Sequence, residues 1–170
     1  MELSRLESGR NLELKRINLS SILQNLATDY EKLAGAKGLK FSCVVAPDAV
    51  IFGDELMISR LVDNFLSNAL KFALAKIELN LSLSKTHALF SVKDDGIGIS
   101  KKDSELIWNK FYQADSSRNK SLNTGSGLGL AIAANIAKIH GAKLGVKSEA
   151  GAGSEFWVEF ELVNLKQVKI

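Results

Sequence analysis

The spacing of apolar positions changes several times along the chain, and each change marks an element. Leu19, Ile22, Leu23, Leu26, Tyr30 and Leu33 recur at helical spacing and predict a helix from about Asn18 to Ala36, stopping near Gly38. A strand follows in the largely apolar run Leu39 to Val45, and a short one from Val50 to Phe52 after Pro47-Asp48. Asp54, after Gly53, is a natural N-cap, and Met57, Leu61, Phe65 and Phe72 mark the core face of a helix ending at Phe72. Lys76 to Ser84 and Ala88 to Asp94 alternate, which predicts a hairpin turning at Ser84-Lys85-Thr86-His87. Further on, a glycine-rich loop opens an amphipathic helix ending at His140-Gly141, and Lys143 to Ser148 and Glu155 to Leu162 read as two more strands. Strands joined by short turns, with a few helices among them, predict an α/β fold: a two-layer α/β sandwich with a mixed sheet and helices on one face.

Composition narrows the class. With 170 residues, 46% of them apolar and 24% charged, the chain can bury one sizeable core, so one domain is expected, and no apolar run is long enough to cross a membrane. The formal charge of +3 is diffuse, with acids among the lysines, which gives nucleic-acid binding little support. The lone Cys43 excludes a disulfide framework; in its apolar run it is expected to be a buried strand thiol, which fits a reducing cytosol. Met1 to Arg16 is charged throughout and carries no signal peptide.

Three groups of residues carry candidate chemistry. On the helix after Asp54, Asn64, Asn68 and Lys71 stand at i, i+4 and i+7 and share a second face. Carboxamide oxygens are acceptable ligands for magnesium, which takes its remaining oxygens from water and nucleotide phosphates, and the lysine offers those phosphates a point charge. The strand Phe90 to Asp94 stops at Asp94-Asp95-Gly96-Ile97-Gly98-Ile99, where a carboxylate beside pliant backbone can accept from an amino group such as that of adenine. In Asn123-Thr124-Gly125-Ser126-Gly127-Leu128-Gly129-Leu130, glycines admit an oxyanion close to the backbone and the following helix start favours negative charge. Leu130 occupies the third glycine position of a dinucleotide fingerprint and no P-loop lysine follows, so a different phosphate scheme is required. Singly, these are ordinary features: exposed amides, a turn-forming acid, a tight connection. Their joint order is not ordinary.

Asn64-x-x-x-Asn68-x-x-Lys71, Asp94-x-Gly96-x-Gly98-Ile99, Trp108-Asn109-Lys110-Phe111-Tyr112 and Gly125-x-Gly127-Leu128-Gly129-Leu130 resemble, in order, the N, G1, F and G2 boxes of the sensor histidine kinase ATP-binding domain. The resemblance spans roughly Asn18 to Leu162 and implies the same α/β sandwich, with ATP and Mg2+ as cofactors. It implies that Asn68 is the principal magnesium ligand, with Asn64 and Lys71 supporting metal and phosphates. Asp94 would read the adenine amine, Gly96, Gly98 and Ile99 would shape the base pocket, and Lys110, Phe111 and Tyr112 would border the nucleotide. Gly125, Gly127, Leu128 and Gly129 would offer backbone N–H groups to phosphates, and Ser154 would approach the base through water. Trp108 and Phe111, at i and i+3, read as core or interdomain packing. The polar stretch Tyr112 to Asn123 reads as a lid whose Arg118 or Lys120 approaches the phosphates. Lys110 departs from the proline common in the F box, and Phe72 from a common tyrosine.

Related ATPases of this fold carry a glutamate where this chain has Asn64, and an amide cannot act as a general base. The expected function is therefore ATP-dependent phosphorylation of a histidine on a dimerisation hairpin, relayed to a response-regulator receiver domain. Leu3, Leu6 and Leu12 suggest that residues 1–16 are the remnant of that hairpin and its linker, followed by a catalytic domain over 17–163 and a solvated tail over 164–170. His87, in a turn, and His140, at a helix end, are expected to be structural. The resemblance further implies a homodimeric, membrane-anchored bacterial parent with this domain in the cytoplasm, the fragment itself being a monomer. The alternatives are a serine kinase or hydrolytic ATPase of the same fold, and a nucleotide-dependent docking module.

Overall fold

The computed structural model describes residues 14–113 and 126–163. Elements alternate in a simple order: β1 (Lys15–Asn18), α1 (Leu19–Ala36), β2 (Lys40–Val45), β3 (Val50–Gly53), α2 (Glu55–Phe72), β4 (Lys76–Leu83), β5 (His87–Asp94), α3 (Lys101–Leu106), α4 (Gly129–Ile139), β6 (Lys143–Ser148) and β7 (Ser154–Glu161). Five strands form one sheet in the order β2-β4-β5-β7-β6, and β1 pairs with β3 in a separate two-stranded ribbon. β2 and β4 run parallel while the other neighbours are antiparallel, so the sheet is mixed, as expected.

The two-residue period of the strands sorts the sheet into an apolar and a polar face. Ile77, Leu79 and Leu81 of β4, Ala88, Phe90 and Val92 of β5, and Phe156, Val158 and Phe160 of β7 are all buried, and the register sets them in rows. Phe65 of α2 closes on this face, 6.0 Å from the Phe90 ring and 5.3 Å from the Phe156 ring. α1 packs beside α2 through Tyr30, whose hydroxyl donates to Asp63 Oδ1 at 2.7 Å. Burial and the neighbouring Asp63 carboxylate push that phenol well above its ordinary value.

Both long helices start where side chains cap them. Asn18 Oδ1 accepts from the Ser21 N–H at 3.1 Å and Asp54 Oδ1 from the Met57 N–H at 3.0 Å. His140 links the end of α4 to the start of α2: its Nδ1 pairs with the Ile136 carbonyl at 2.7 Å and its Nε2 accepts the Asp54 N–H at 3.0 Å. That arrangement requires the neutral ring protonated at Nδ1, and it gives His140 a structural role.

Several expectations are corrected. Lys15 and Arg16, assigned to a helical remnant, lie in β1, where Arg16 pairs with Phe52 and Ile17 with Ile51. α3 was not expected: it is one short turn with no buried residue, so it has no apolar period to read. Its one local signal is Ser100, whose Oγ accepts from the Asp103 N–H at 3.1 Å and donates to Asp103 Oδ2 at 2.7 Å. Cys43 is exposed rather than buried, because β2 is an edge strand without a neighbour on its outer side. Phe72 lies at the end of α2, half-buried, with Lys71 Nζ 5.0 Å from its ring centroid, and does not join the core. Phe111 is 71% exposed, whereas Trp108 meets Phe156 edge to face at 5.9 Å, as packing requires. The amino-terminal leucines, Arg118, Lys120, Gly125 and the tail lie outside the described residues.

Phe65→Ala should cost about 3–5 kcal/mol, because it empties the space between two rings, while Cys43→Ser should stay within about 0.5 kcal/mol. Urea unfolding of the two variants checks this pair of values, and a Phe65→Ala cost below that of an ordinary surface change would remove Phe65 from the centre of the core.

Candidate functional site

The strand period that builds the core also places an acid at its edge. Asp94 follows Phe90 and Val92 on the inward face of β5, opposite Ile77 on β4 and Ser154 on β7, and it is only 5% exposed. Its Oδ1 accepts the Gly96 N–H at 2.8 Å. Burial pushes the carboxyl above its ordinary value; the Gly96 N–H opposes the rise, the charge of Asp95 adds to it, and the Ser154 backbone opposes it again.

The glycines around Asp94 are required by close approach. A Cβ on Gly96 would collide with the Phe72 carbonyl at the end of α2, and one on Gly98, whose φ is +68°, would collide with the Glu149 carbonyl. Ile97 accepts from the Gly151 N–H at 2.7 Å, which joins this turn to the β6–β7 connection. Ser148 organises the same corner: its Oγ donates to the Gly153 carbonyl at 2.7 Å, accepts the Ile99 N–H at 2.8 Å and lies 2.9 Å from Ser154 Oγ. With its one proton committed to Gly153, Ser148 must receive the Ser154 proton.

The second group is on α2. Asn64, Asn68 and Lys71 are half-buried along one side of the helix, beside the stripe that carries Phe65. Asn64 reaches α4, since a Cβ on Gly129 would come within 2.8 Å of its Oδ1. Its Nδ2 is buried and has no hydrogen-bond partner among the described residues. α4 begins after Leu128 without a side-chain cap, leaving its first N–H groups to other acceptors. Gly127, at φ +69°, packs on the Phe111 backbone, and its carbonyl accepts the Phe111 N–H at 3.0 Å. Phe111 itself has a positive φ of 64°. Tyr112 Oη donates to Asp103 Oδ1 at 2.5 Å, holding this segment to α3.

The fold thus joins Asn64 to Gly129, Gly127 to Lys110-Phe111-Tyr112, and Asp94 to Gly96, Ile99 and Ser154. Gly125 lies outside the described residues. Reading by local spacing missed two residues here, Asp95 and Ser148, because their hydrogen bonds cross between distant segments. No group of three or more His, Cys, Asp or Glu side chains that could hold a metal occurs among the described residues.

Because the folded-state pKa of Asp94 is raised, the native chain holds its proton to higher pH than the unfolded chain, and stability falls as pH rises from about 4 through that raised value. Asp94→Asn lacks this loss, so the nucleotide-free variant should gain thermal stability relative to the parent as pH rises through the acid range, then hold that gain. Melting curves of both proteins between acid and neutral pH check it; a gap independent of pH would remove the burial cost.

A family model described as histidine kinase-, DNA gyrase B-, and HSP90-like ATPase matches residues 53–164. Sensor protein GacS of Pseudomonas syringae pv. syringae is 34% identical over 180 residues, covering 99% of this chain and 20% of that protein. Sensor histidine kinase YkoH of Bacillus subtilis is 32% identical over 168 residues, covering 96% of this chain and 36% of its own. The chain therefore spans a minor part of these relatives. Among solved structures, full-length ShkA in complex with AMPPNP superimposes with a TM-score of 0.80 at 29% identity, covering 95% of this chain and 34% of that one. The chain belongs to the histidine kinase-, DNA gyrase B- and HSP90-like ATPase family, as a catalytic ATP-binding domain of the sensor histidine kinase kind.

Proposed function

We propose that this domain binds ATP with magnesium and presents the γ-phosphoryl group to a histidine on a dimerisation hairpin of the parent protein, for relay to a response-regulator receiver domain. The observation that carries the reading is that α2 sets the half-buried Asn64 against Gly129 at the uncapped start of α4, while its end meets Gly96 beside the buried carboxylate of Asp94. Asp94 accepts from the exocyclic amine of adenine, while Gly96, Gly98 and Ile99 leave room for the base and Ser154 serves it through water. The N–H groups of Gly127, Leu128 and Gly129, with Gly125, receive phosphate oxygens at the dipole end of α4. Lys110, Phe111 and Tyr112 border this phosphate end.

The residues present fit a magnesium ion. Asn68 offers an amide oxygen, and the unpartnered Asn64 Nδ2 is a donor that a phosphate oxygen or a metal-bound water can satisfy. Magnesium, when bound, neutralises charge on the phosphates of the transferred group. Lys71 adds a positive charge on the same helix face. Because Asn64 is an amide, this position supplies no base for activating water, and the domain's contribution is positioning and charge neutralisation. In the transfer, the bond from the γ-phosphorus to its bridging oxygen breaks, ADP leaves, and the imidazole nitrogen forms the new bond. Residues 1–14 are the end of the hairpin and its linker, 15–163 the catalytic domain, which takes in β1, and 164–170 a tail. The parent is a homodimer anchored at a bacterial membrane with this domain on the cytoplasmic side, and the piece alone is a monomer.

Calorimetric titration of AMPPNP with magnesium should show binding by the parent chain, a loss of at least about tenfold in Asp94→Asn, and a loss of the magnesium dependence in Asn68→Ala. A radiolabelled γ-phosphate should pass to an added histidine hairpin, with no steady ATP turnover by the domain alone. Absence of parent binding would overturn the reading in favour of a docking role, and steady turnover in favour of a hydrolase.

A further inference from the structure

We propose that Asp95 is a positioning residue, whose carboxylate holds the C-terminal end of α2 where Asn68 and Lys71 act; this rests on the nucleotide site proposed above. Strand alternation turns Asp95 away from the inward face taken by Asp94, toward the segment leaving α2. There its Oδ1 accepts three consecutive backbone N–H groups, from Leu74 at 3.0 Å, Ala75 at 3.0 Å and Lys76 at 3.1 Å. Consecutive N–H groups converging on one oxygen form an anion-binding nest, and here the anion is supplied by the chain itself.

The segment has few other anchors. α2 ends at the cap residue Ala73, whose N–H still bonds the Ala69 carbonyl at 2.8 Å, and Leu74 is 71% exposed and contributes nothing to the core. The Ala75 carbonyl accepts from the Lys40 N–H at 2.8 Å, which fixes the β2 side, but the Leu74 and Ala75 N–H groups rest on Asp95. Lys71 lies three residues before Leu74, in the last turn of the helix, and Asn68 lies one turn earlier.

The same turn presses on the helix end directly. Gly96 lies so close to the Phe72 carbonyl that a Cβ has no space there. Asp94 and Asp95 therefore clamp one turn in two directions, Asp94 onto Gly96 and the pocket, Asp95 onto the helix end. Burial opposes the charge on Asp95, but the Ala75, Lys76 and Leu74 N–H groups outweigh it and hold the carboxyl below its ordinary value. Without that oxygen, three N–H groups lose their acceptor and the last turn of α2 frays, displacing Lys71 and Asn68 while Asp94 stays fixed by the sheet.

This division gives a readout that a general loss of stability does not. Affinities for AMPPNP with magnesium, which engages both ends of the site, and for adenosine, which engages only the base end, are measured on the parent, Asp95→Ala and Asp95→Asn. Asp95→Ala should weaken AMPPNP by about tenfold and leave adenosine within about twofold, whereas Asp95→Asn, which keeps an acceptor oxygen, should remain within about threefold for both. Unchanged AMPPNP affinity in Asp95→Ala, or equal losses for both ligands, would overturn the proposal. Should Asp95→Ala fail to fold, Asp95→Ser, too short to reach the three N–H groups, is read in its place against the same outcomes. If the parent binds neither ligand, it is the nucleotide site that fails, an outcome distinct from a parent that binds while the Asp95 variants match it.

Discussion

Phe65, held between the rings of Phe90 and Phe156, fixes α2 to the sheet, and the geometry of the site depends on that contact. A helix can bury only one stripe against a sheet, so locking Phe65 inward sets the direction of everything else on α2. Asn64 then meets Gly129 at the start of α4, with Asn68 and Lys71 following it along the same side of the helix. The two strands that receive Phe65 also carry Asp94 and Ser154, since Phe90 and Val92 lead to Asp94 and Phe156 follows Ser154. Core and site are thus continuous along the same rows, and there is no separate scaffold beneath the chemistry.

That continuity explains why two adjacent carboxylates behave oppositely. Asp94 continues an apolar row, so burial dominates and raises its proton affinity despite the Gly96 N–H. Asp95, one residue on, points the other way and meets three N–H groups, which overcome its smaller burial cost. A single step along a strand converts a carboxyl that costs stability into one that adds it. The first is the carboxylate proposed to meet an external donor, and the second is spent on the fold.

The sequence made visible what depends on period. The cores of α1, α2, β4, β5 and β7 follow directly from apolar spacing, and the glycines at 96, 98, 127 and 129 mark places where backbone meets backbone or side chain. What stayed hidden depends on distance along the chain. Ser148 and Asp95 act through partners 49 and 19 to 21 residues away, and no local pattern encodes those bonds. Apolar neighbours suggest burial for Cys43, but only the sheet order shows that β2 is an edge; Phe111, exposed and at positive φ, does not join the core of this domain and keeps only the interdomain half of its packing reading. β1 and α3 are too short for a period to be seen.

Asn64 links the structure to the kind of chemistry the domain can support. A glutamate at this place on α2, beside the start of α4, could remove a proton from water, and its charge would also repel phosphates bound at the helix start as proposed. The amide carries neither property. Its buried Nδ2 has no hydrogen-bond partner among the described residues, a donor that the phosphate proposed above would satisfy. An amide in place of an acid therefore fits the proposed role, a donor for a phosphoryl oxygen with no base at this position to activate water. Such a site is suited to delivering the group to a nucleophile that arrives from outside the domain.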